Sequence, residues 1–263
     1  MPIVADILDY LETLAPTAMK MEWDNVGLLC GEREQPVHKI LVALDPFDEA
    51  CLEAGSIGAD LIVTHHPLIF RPIKSVTSDT PVGRTIMMLC RSGISAINAH
   101  TNLDCAPEGV NHRLAQRLGL TDIRVIDPLG TDDQGRPWGL LRQGMTEEQP
   151  LSQFLSTVKE RLGCEGLRYA DGQRPVRKVA VGGGACASEL QTVIRSGCDT
   201  FVTADVKYND FWEAYTAGLN LIDAGHFQTE DPIVEVLADK LRQAFPDTEV
   251  VISQNHKDCI HFL

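Results

Sequence analysis

Apolar residues recur at helical spacing at the start of the chain, where Ala5, Ile7, Leu8, Leu11 and Leu14 form one stripe and predict an opening helix. Two short runs follow, Val26 to Cys30 and Lys39 to Leu44, and both read as strands. The pattern then alternates. Asp48 to Ala54 predicts a helix, Asp60 to Thr64 a largely apolar strand, Val82 to Arg91 a helix, Ile94 to Ala99 a strand and Val110 to Leu118 a helix. Alternating elements of this length imply crossover connections and a largely parallel sheet.

Turn-forming residues concentrate between 127 and 137, where Asp127, Pro128, Gly130, Asp132, Asp133, Gly135 and Pro137 predict a linker. Beyond it the order of elements returns. Helices are expected near Leu151 to Leu162, Ser188 to Arg195, Tyr208 to Ala217 and Ile233 to Ala244, with strands near Leu167 to Ala170, Arg177 to Val181, Thr200 to Thr203 and Leu219 to Ala224. The segment His38 to His66 aligns without a gap on Arg177 to Asp205, an offset of 177 − 38 = 139. Lys39, Val42, Gly58, Asp60, Val63 and Thr64 then meet Lys178, Val181, Gly197, Asp199, Val202 and Thr203. A second block pairs Gly93, Ile97 and Ala99 with Gly218, Ile222 and Ala224, an offset of 218 − 93 = 125. Generic likeness between any two βαβ units is the competing explanation, and duplication is the reading adopted. It gives an α/β fold of two repeats, 1–126 and 127–263.

Composition narrows the function classes. With 263 residues, 44% of them hydrophobic and 23% charged, the chain can bury a substantial core. Its 23 Lys and Arg against 37 Asp and Glu leave a formal charge of −14, which repels a phosphate backbone and argues against nucleic acid as the main partner. No run approaches the roughly 20 apolar residues of a membrane span, and the start of the chain does not resemble an export signal. Eight cysteines without any C-x-x-C pair read as buried thiols of a cytoplasmic protein.

Chemistry gathers just past three predicted strands, the ends where open α/β sheets bind ligands. His65-His66-Pro67 follows the strand Asp60 to Thr64. On an extended backbone the two imidazoles point to opposite sides and can reach two ions rather than one, or they are hydrogen-bonded strand-end histidines. His100-Thr101-Asn102-Leu103-Asp104 follows the next strand, with Asp104 either a hard oxygen ligand or a turn former, and His100 a ligand, an acid/base group or an orienter. Gly225 to Glu230 follows the last, and His226 and Glu230, four apart, can share a helix face. The bland alternative for Glu230 is a carboxylate beside a helix N-terminus. Gly182-Gly183-Gly184 lacks the ending of a P-loop and reads as a tight strand-to-helix turn. Trp23, Asp24 and Asn25 either line a substrate pocket or anchor a loop, and Cys105 reads as a buried thiol.

Trp23-Asp24-Asn25-Val26-Gly27-Leu28, Val63 to Pro67, Ala99 to Asp104, Gly182 to Ala185 and Ala224 to Glu230, taken in order, resemble the NIF-three-like family, often labelled GTP cyclohydrolase 1 type 2 homologues. The resemblance spans nearly the whole chain. It implies two intertwined, duplicated α/β repeats with mostly parallel mixed sheets, a metal site between the repeats, and ring-shaped homohexamers. It carries metal ligation onto His65, His66, Asp104, His226 and Glu230, with Glu230 bridging two divalent ions per subunit. The nitrogen and oxygen donors suit Zn, Mn, Fe or Ni. The expected activity is a metal-dependent hydrolase using a metal-bridging water, with His100 as the proton-transfer residue and a small-molecule substrate such as the purine nucleotide GTP. The rivals are a non-catalytic metal-binding or metal-delivery protein and a regulatory oligomeric module. The stretch 128–173 carries no motif that bears on substrate choice.

Overall fold

A computed structural model describes residues 1–263. In chain order the first elements are α1 (Val4–Leu14), β1 (Gly27–Cys30), β2 (Lys39–Ala43), α2 (Asp48–Ser56), β3 (Leu61–Thr64), α3 (Pro81–Ser92), β4 (Ser95–Asn98) and α4 (Thr101–Cys105). Next come α5 (Val110–Arg117), β5 (Thr121–Ile126), the small hairpin β6 (Gly130–Thr131) and β7 (Pro137–Trp138), β8 (Leu141–Gln149), α6 (Leu151–Leu162) and β9 (Arg168–Ala170). The remainder is β10 (Val176–Val181), α7 (Leu190–Arg195), β11 (Thr200–Thr203), α8 (Tyr208–Ala217), β12 (Asn220–Asp223), α9 (His226–Glu230), α10 (Pro232–Ala244) and β13 (Glu249–Ile252). Local signals set the ends of several helices. Thr80 accepts from the Gly83 amide at the start of α3 and Pro81 occupies its first turn, where a missing N–H costs nothing. Gly93 ends the same helix at φ 66°, a left-handed conformation open to glycine at no steric cost.

The chain forms two compact units. One comprises Met1–Leu103 with Ile233–Lys257, and the other Asp104–Pro232 with Asp258–Leu263. The division falls away from the expected 126/127 boundary for a physical reason. β5 pairs with β8 inside the second unit's sheet, while the chain returns at its end to lay β13 beside β2 in the first. The expected linker 127–137 carries the β6–β7 hairpin.

In the first unit the sheet order is β1-β4-β3-β2-β13. β4, β3, β2 and β13 run parallel, and β1 is added antiparallel to β4. In the second the order is β5-β8-β10-β11-β12-β9. Its centre, β10-β11-β12, is parallel, whereas β8, β5 and β9 are added antiparallel. The central strands of both sheets are buried along their length, as expected for parallel strands covered on both faces. In the second unit Val179, Val181 and Val202 pack with Leu114, Phe154 and Val158 on one side. Ala180 and Phe201 pack with Leu190, Val193 and Ala214 on the other.

The repeat is visible in the hydrogen bonds of each unit. Asp60 Oδ2 accepts from the backbone amides of His38 and Lys39, and Asp199 accepts from those of Arg177 and Lys178. Lys39 Nζ donates to the Ile57 carbonyl, and Lys178 Nζ to the Ser196 carbonyl, each 139 residues on. β2-β3-β4 and β10-β11-β12 share order and direction, so the duplication extends to the strands that deliver the candidate ligands. No helix is long and apolar enough to cross a membrane. Cysteine burial departs from expectation at two positions, since Cys90 and Cys259 are exposed while the other six are buried.

Candidate metal centre

In the first unit β3 and β4 end side by side, with Thr64 opposite Asn98. The residues that follow are His65 on one strand and Ala99-His100 on the other. The chain bends at His65 and His66 instead of remaining extended. The rings therefore do not diverge as the sequence suggested, and their centroids lie 5.0 Å apart. One ligand atom from each of His65, His66 and His100 lies within 4.8 Å of the others.

Each of these rings is held at Nδ1. His65 Nδ1 lies 2.9 Å from the Ala99 carbonyl, which can only accept, so the proton sits on Nδ1 and the lone pair on Nε2. His66 Nδ1 lies 2.7 Å from Asp45 Oδ1 and His100 Nδ1 2.8 Å from Asp24 Oδ1. An imidazole tied at one nitrogen to a carbonyl or carboxylate is the usual state of a metal-bound histidine, because the partner fixes the tautomer and raises the basicity of the other nitrogen. His65 is fully buried and His66 and His100 are half-buried.

Asp24 holds more than His100. Its other oxygen accepts from the Thr101 amide at 3.0 Å and the Thr101 hydroxyl at 2.5 Å, just where α4 starts. Burial pushes the Asp24 carboxyl up, but the hydrogen bonds of His100 and Thr101 and the adjacent imidazole charge outweigh it and hold the group well below the usual carboxylate range. Of the two readings left open for Asp24 and Asn25, anchoring is the one realised. Asn25 Nδ2 donates to the Ile69 carbonyl.

In the second unit His226 opens α9 and Glu230 closes it, so the i, i+4 spacing puts His226 Nε2 3.0 Å from Glu230 Oε2. His226 Nδ1 lies 2.8 Å from Asp205 Oδ2. Glu230 is only 4% exposed and Asp104 only 7%, and a carboxylate oxygen of each lies within 4.8 Å of one on the other. Two buried carboxylates that close repel unless a cation or proton sits with them. Placement beside a helix N-terminus alone would not require that burial.

Side chains outside the proposed ligands also shape this group. Arg142, 1% exposed, donates to the carbonyls of Cys105, Ala106, Gly139 and Leu141 and so fixes the turn directly after Asp104. Burial pushes its guanidinium down to about 10, opposed by the charges of Cys105 and Asp104. Asn111 accepts from the Gly183 amide and donates to the Leu140 carbonyl, and Thr229 accepts from the Gly184 amide. The glycine turn thus spends those amides internally, as expected of a tight turn and not of a phosphate cradle. Gly184 has a further duty. At φ 60° a Cβ there would stand 3.0 Å from both Glu230 Cδ and His226 Nε2. Asp45 and Asp205 each lie two residues past a strand, β2 and β11, at the ends where site residues collect. In the aligned repeats Asp205 stands opposite His66.

Three oriented imidazoles in the first unit, and in the second an oriented imidazole beside a close pair of buried carboxylates, are donor types that suit a borderline divalent ion better than calcium. Comparisons with known proteins agree with the fold and the residue pattern. The model of the family Duf34/NIF3 (NGG1p interacting factor 3) matches residues 2–259. A Clostridium perfringens protein named GTP cyclohydrolase 1 type 2 homolog is 34% identical over 260 residues, covering 98% of both chains. One of the same name from Streptomyces coelicolor is 38% identical over 246 residues, covering 92% of this chain and 86% of that protein. The crystal structure of a Bacillus cereus protein related to NIF3 superimposes with a TM-score of 0.94 at 26% identity, covering 100% of this chain and 99% of the other.

Proposed function

Because the chain belongs to the Duf34/NIF3 family, we propose that it is a dinuclear metal-binding protein that acts as a metal-dependent hydrolase. The observation that carries this reading is the preparation of the rings. In His65, His66, His100 and His226 alike, Nδ1 is engaged by an oxygen acceptor. His65, His66, Asp104, His226 and Glu230 would hold two divalent ions, drawn from Zn, Mn, Fe or Ni, with Glu230 serving both. When bound, the ions would supply Lewis acidity and a water of lowered pKa for attack on an electrophilic carbon or phosphorus.

The chain's own part is orientation and proton handling. Asp45 and Asp205 fix two ligand rings, and Arg142 and Gly184 keep the carboxylate group in place and uncrowded. His100, held at Nδ1 by Asp24, would take or give the proton at Nε2. The names of the relatives support a purine nucleotide such as GTP as the small-molecule substrate, and family resemblance supports assembly as a homohexamer. The test is a hydrolysis screen on metal-reconstituted protein with GTP and other nucleotides. Turnover should require the metal and fall about 10²- to 10⁴-fold in His100→Gln, the range of a lost general acid or base. Metal-loaded protein without turnover on any of them would favour the non-catalytic metal-binding or delivery role.

A further inference from the structure

Large apolar side chains at the surface carry information when they are grouped and rigidly held. Trp23 is 62% exposed and Phe70 46% exposed, and their ring centroids lie 5.7 Å apart at 73°. Both rings lean on the same histidine. Trp23 lies 6.3 Å from the His100 ring and Phe70 6.1 Å from it. The three rings form a corner with two exposed aromatic walls and His100 at its base, and the ring centroids of His66 and His100 lie 5.6 Å apart.

The corner is fixed from below. Lys20 Nζ donates to the Asp24 carbonyl, the Asp24 amide to the Met21 carbonyl and the Met21 amide to Thr101 Oγ1. Asn98 Nδ2 donates to the Asn25 carbonyl, and Asn25 Nδ2 reaches the Ile69 carbonyl at 2.7 Å, so one residue ties the loop of Trp23 to the loop of Phe70. Within Trp23-Asp24-Asn25, the second and third residues are anchors and the first is what they hold up. Rings held rigid and left exposed are preorganised for contact with a ligand, because no ordering cost remains on the protein side.

We infer that Trp23 and Phe70 form a stacking site for the planar heteroaromatic ring of a phosphorylated small-molecule substrate whose reacting group lies at the histidines. The inference rests on the hydrolase reading for its choice of a small molecule as occupant. Two rings at a corner suit a flat partner that lies on one face and meets the other edge-on, and they offer too little surface for a protein. Between His65 and Lys74 the chain carries Arg71 and Lys74 and no carboxylate, and both cations are exposed. In a chain of formal charge −14 such a loop suits a phosphate beside the ring.

The test uses GMP as the probe and ribose 5-phosphate as the ring-free control. The indole N–H resonances of the three tryptophans, Trp23, Trp138 and Trp212, are followed by NMR on the full chain, with and without added zinc. GMP should shift the Trp23 signal and leave the other two unmoved, and ribose 5-phosphate should shift none. Trp23→Ala should weaken GMP binding about tenfold or more, as expected for loss of one base-stacking aromatic, and Trp23→Phe should restore most of it. Zinc content should be unchanged in both. No shift of Trp23 at millimolar GMP, or equal GMP affinity in Trp23→Ala, overturns the stacking site. So does a Trp23 signal that responds to protein concentration alone, which would assign the corner to a second copy of the chain. A GMP response confined to Trp23 in protein that binds no zinc would leave the stacking site standing and remove the metal reading instead.

Discussion

Asp45→Ala isolates the proposed preparation of His66 from ligation itself. Asp45 touches the ring at Nδ1, 2.7 Å away, and both side chains are 19% exposed. Removing it takes away a charge-assisted hydrogen bond and the element that selects the Nδ1–H tautomer. Loss of such an outer partner typically weakens metal binding by about 10- to 100-fold, or about 1.4 to 2.7 kcal/mol. Asp45→Asn divides that effect. If the amide oxygen faces the ring, orientation survives and only charge is lost, which places the variant near the tenfold end. The fold should tolerate both changes, because a partly exposed ion pair contributes about 0.2 to 1 kcal/mol and shifts the melting temperature of a chain this long by a few degrees at most. The assay is competition for zinc against a chromophoric chelator at neutral pH, alongside thermal melts of the metal-free proteins. Unchanged zinc affinity in Asp45→Ala would refute the orienting role and with it the argument from Nδ1 partners.

Gly184→Ala should disturb the second unit's ligands without touching them chemically. The new Cβ would crowd Glu230 and His226, and a left-handed φ on a non-glycine residue costs on the order of 1 to 3 kcal/mol, so a lower melting temperature and a lost ion by metal analysis are expected together, and full metal content would be the contrary result. Glu53 offers a pH test that involves none of the proposed ligands. Its buried carboxylate accepts from the Gln254 and Asn255 amides and the Ser253 hydroxyl. Burial raises it, but those bonds and His256 hold it below its usual range. A depressed carboxyl stabilises the fold above its unfolded value, about 4.3, and that contribution is lost as pH falls through the lower folded value. Wild type should therefore exceed Glu53→Gln by about 1.5 to 3 kcal/mol at pH 7, with the gap closing below about pH 4. Denaturation curves showing a constant gap down to pH 2 would contradict it.

What the sequence showed and what it hid follow from the range of the interactions involved. The stripe through Leu8 and Leu11, the apolar run at Leu61–Thr64 and the helix at Tyr208–Ala217 are set by local periodicity. Among the strands missed, β5, β8 and β13 owe their state to partners. β8 is largely polar, Leu141–Gln149, and becomes a strand by pairing with β10 and β5. β13 acquires its place only by returning to β2. His65, His66, Asp104, His226 and Glu230 were candidates from their places just past three strands, and the set of five as ligands came from the family resemblance. Asp45 and Asp205 were hidden because an acid after a strand is ordinary until the ring it orients, 21 residues away in both cases, is seen beside it. Arg142 was hidden for a related reason, since its four acceptors are backbone carbonyls, which leave no trace in a motif.

Metal content per chain of anaerobically purified protein, compared between wild type and Glu230→Gln, tests the central claim most directly. A bridging carboxylate loses its second ligand atom and its charge in the amide variant, whereas the i, i+4 contact with His226 keeps a hydrogen-bonding partner and the fold survives. The account predicts two divalent ions per chain in wild type and one or none in Glu230→Gln, at equal solubility and equal secondary structure. Two ions in both proteins, or none in either after reconstitution with zinc, manganese, iron and nickel, would contradict it.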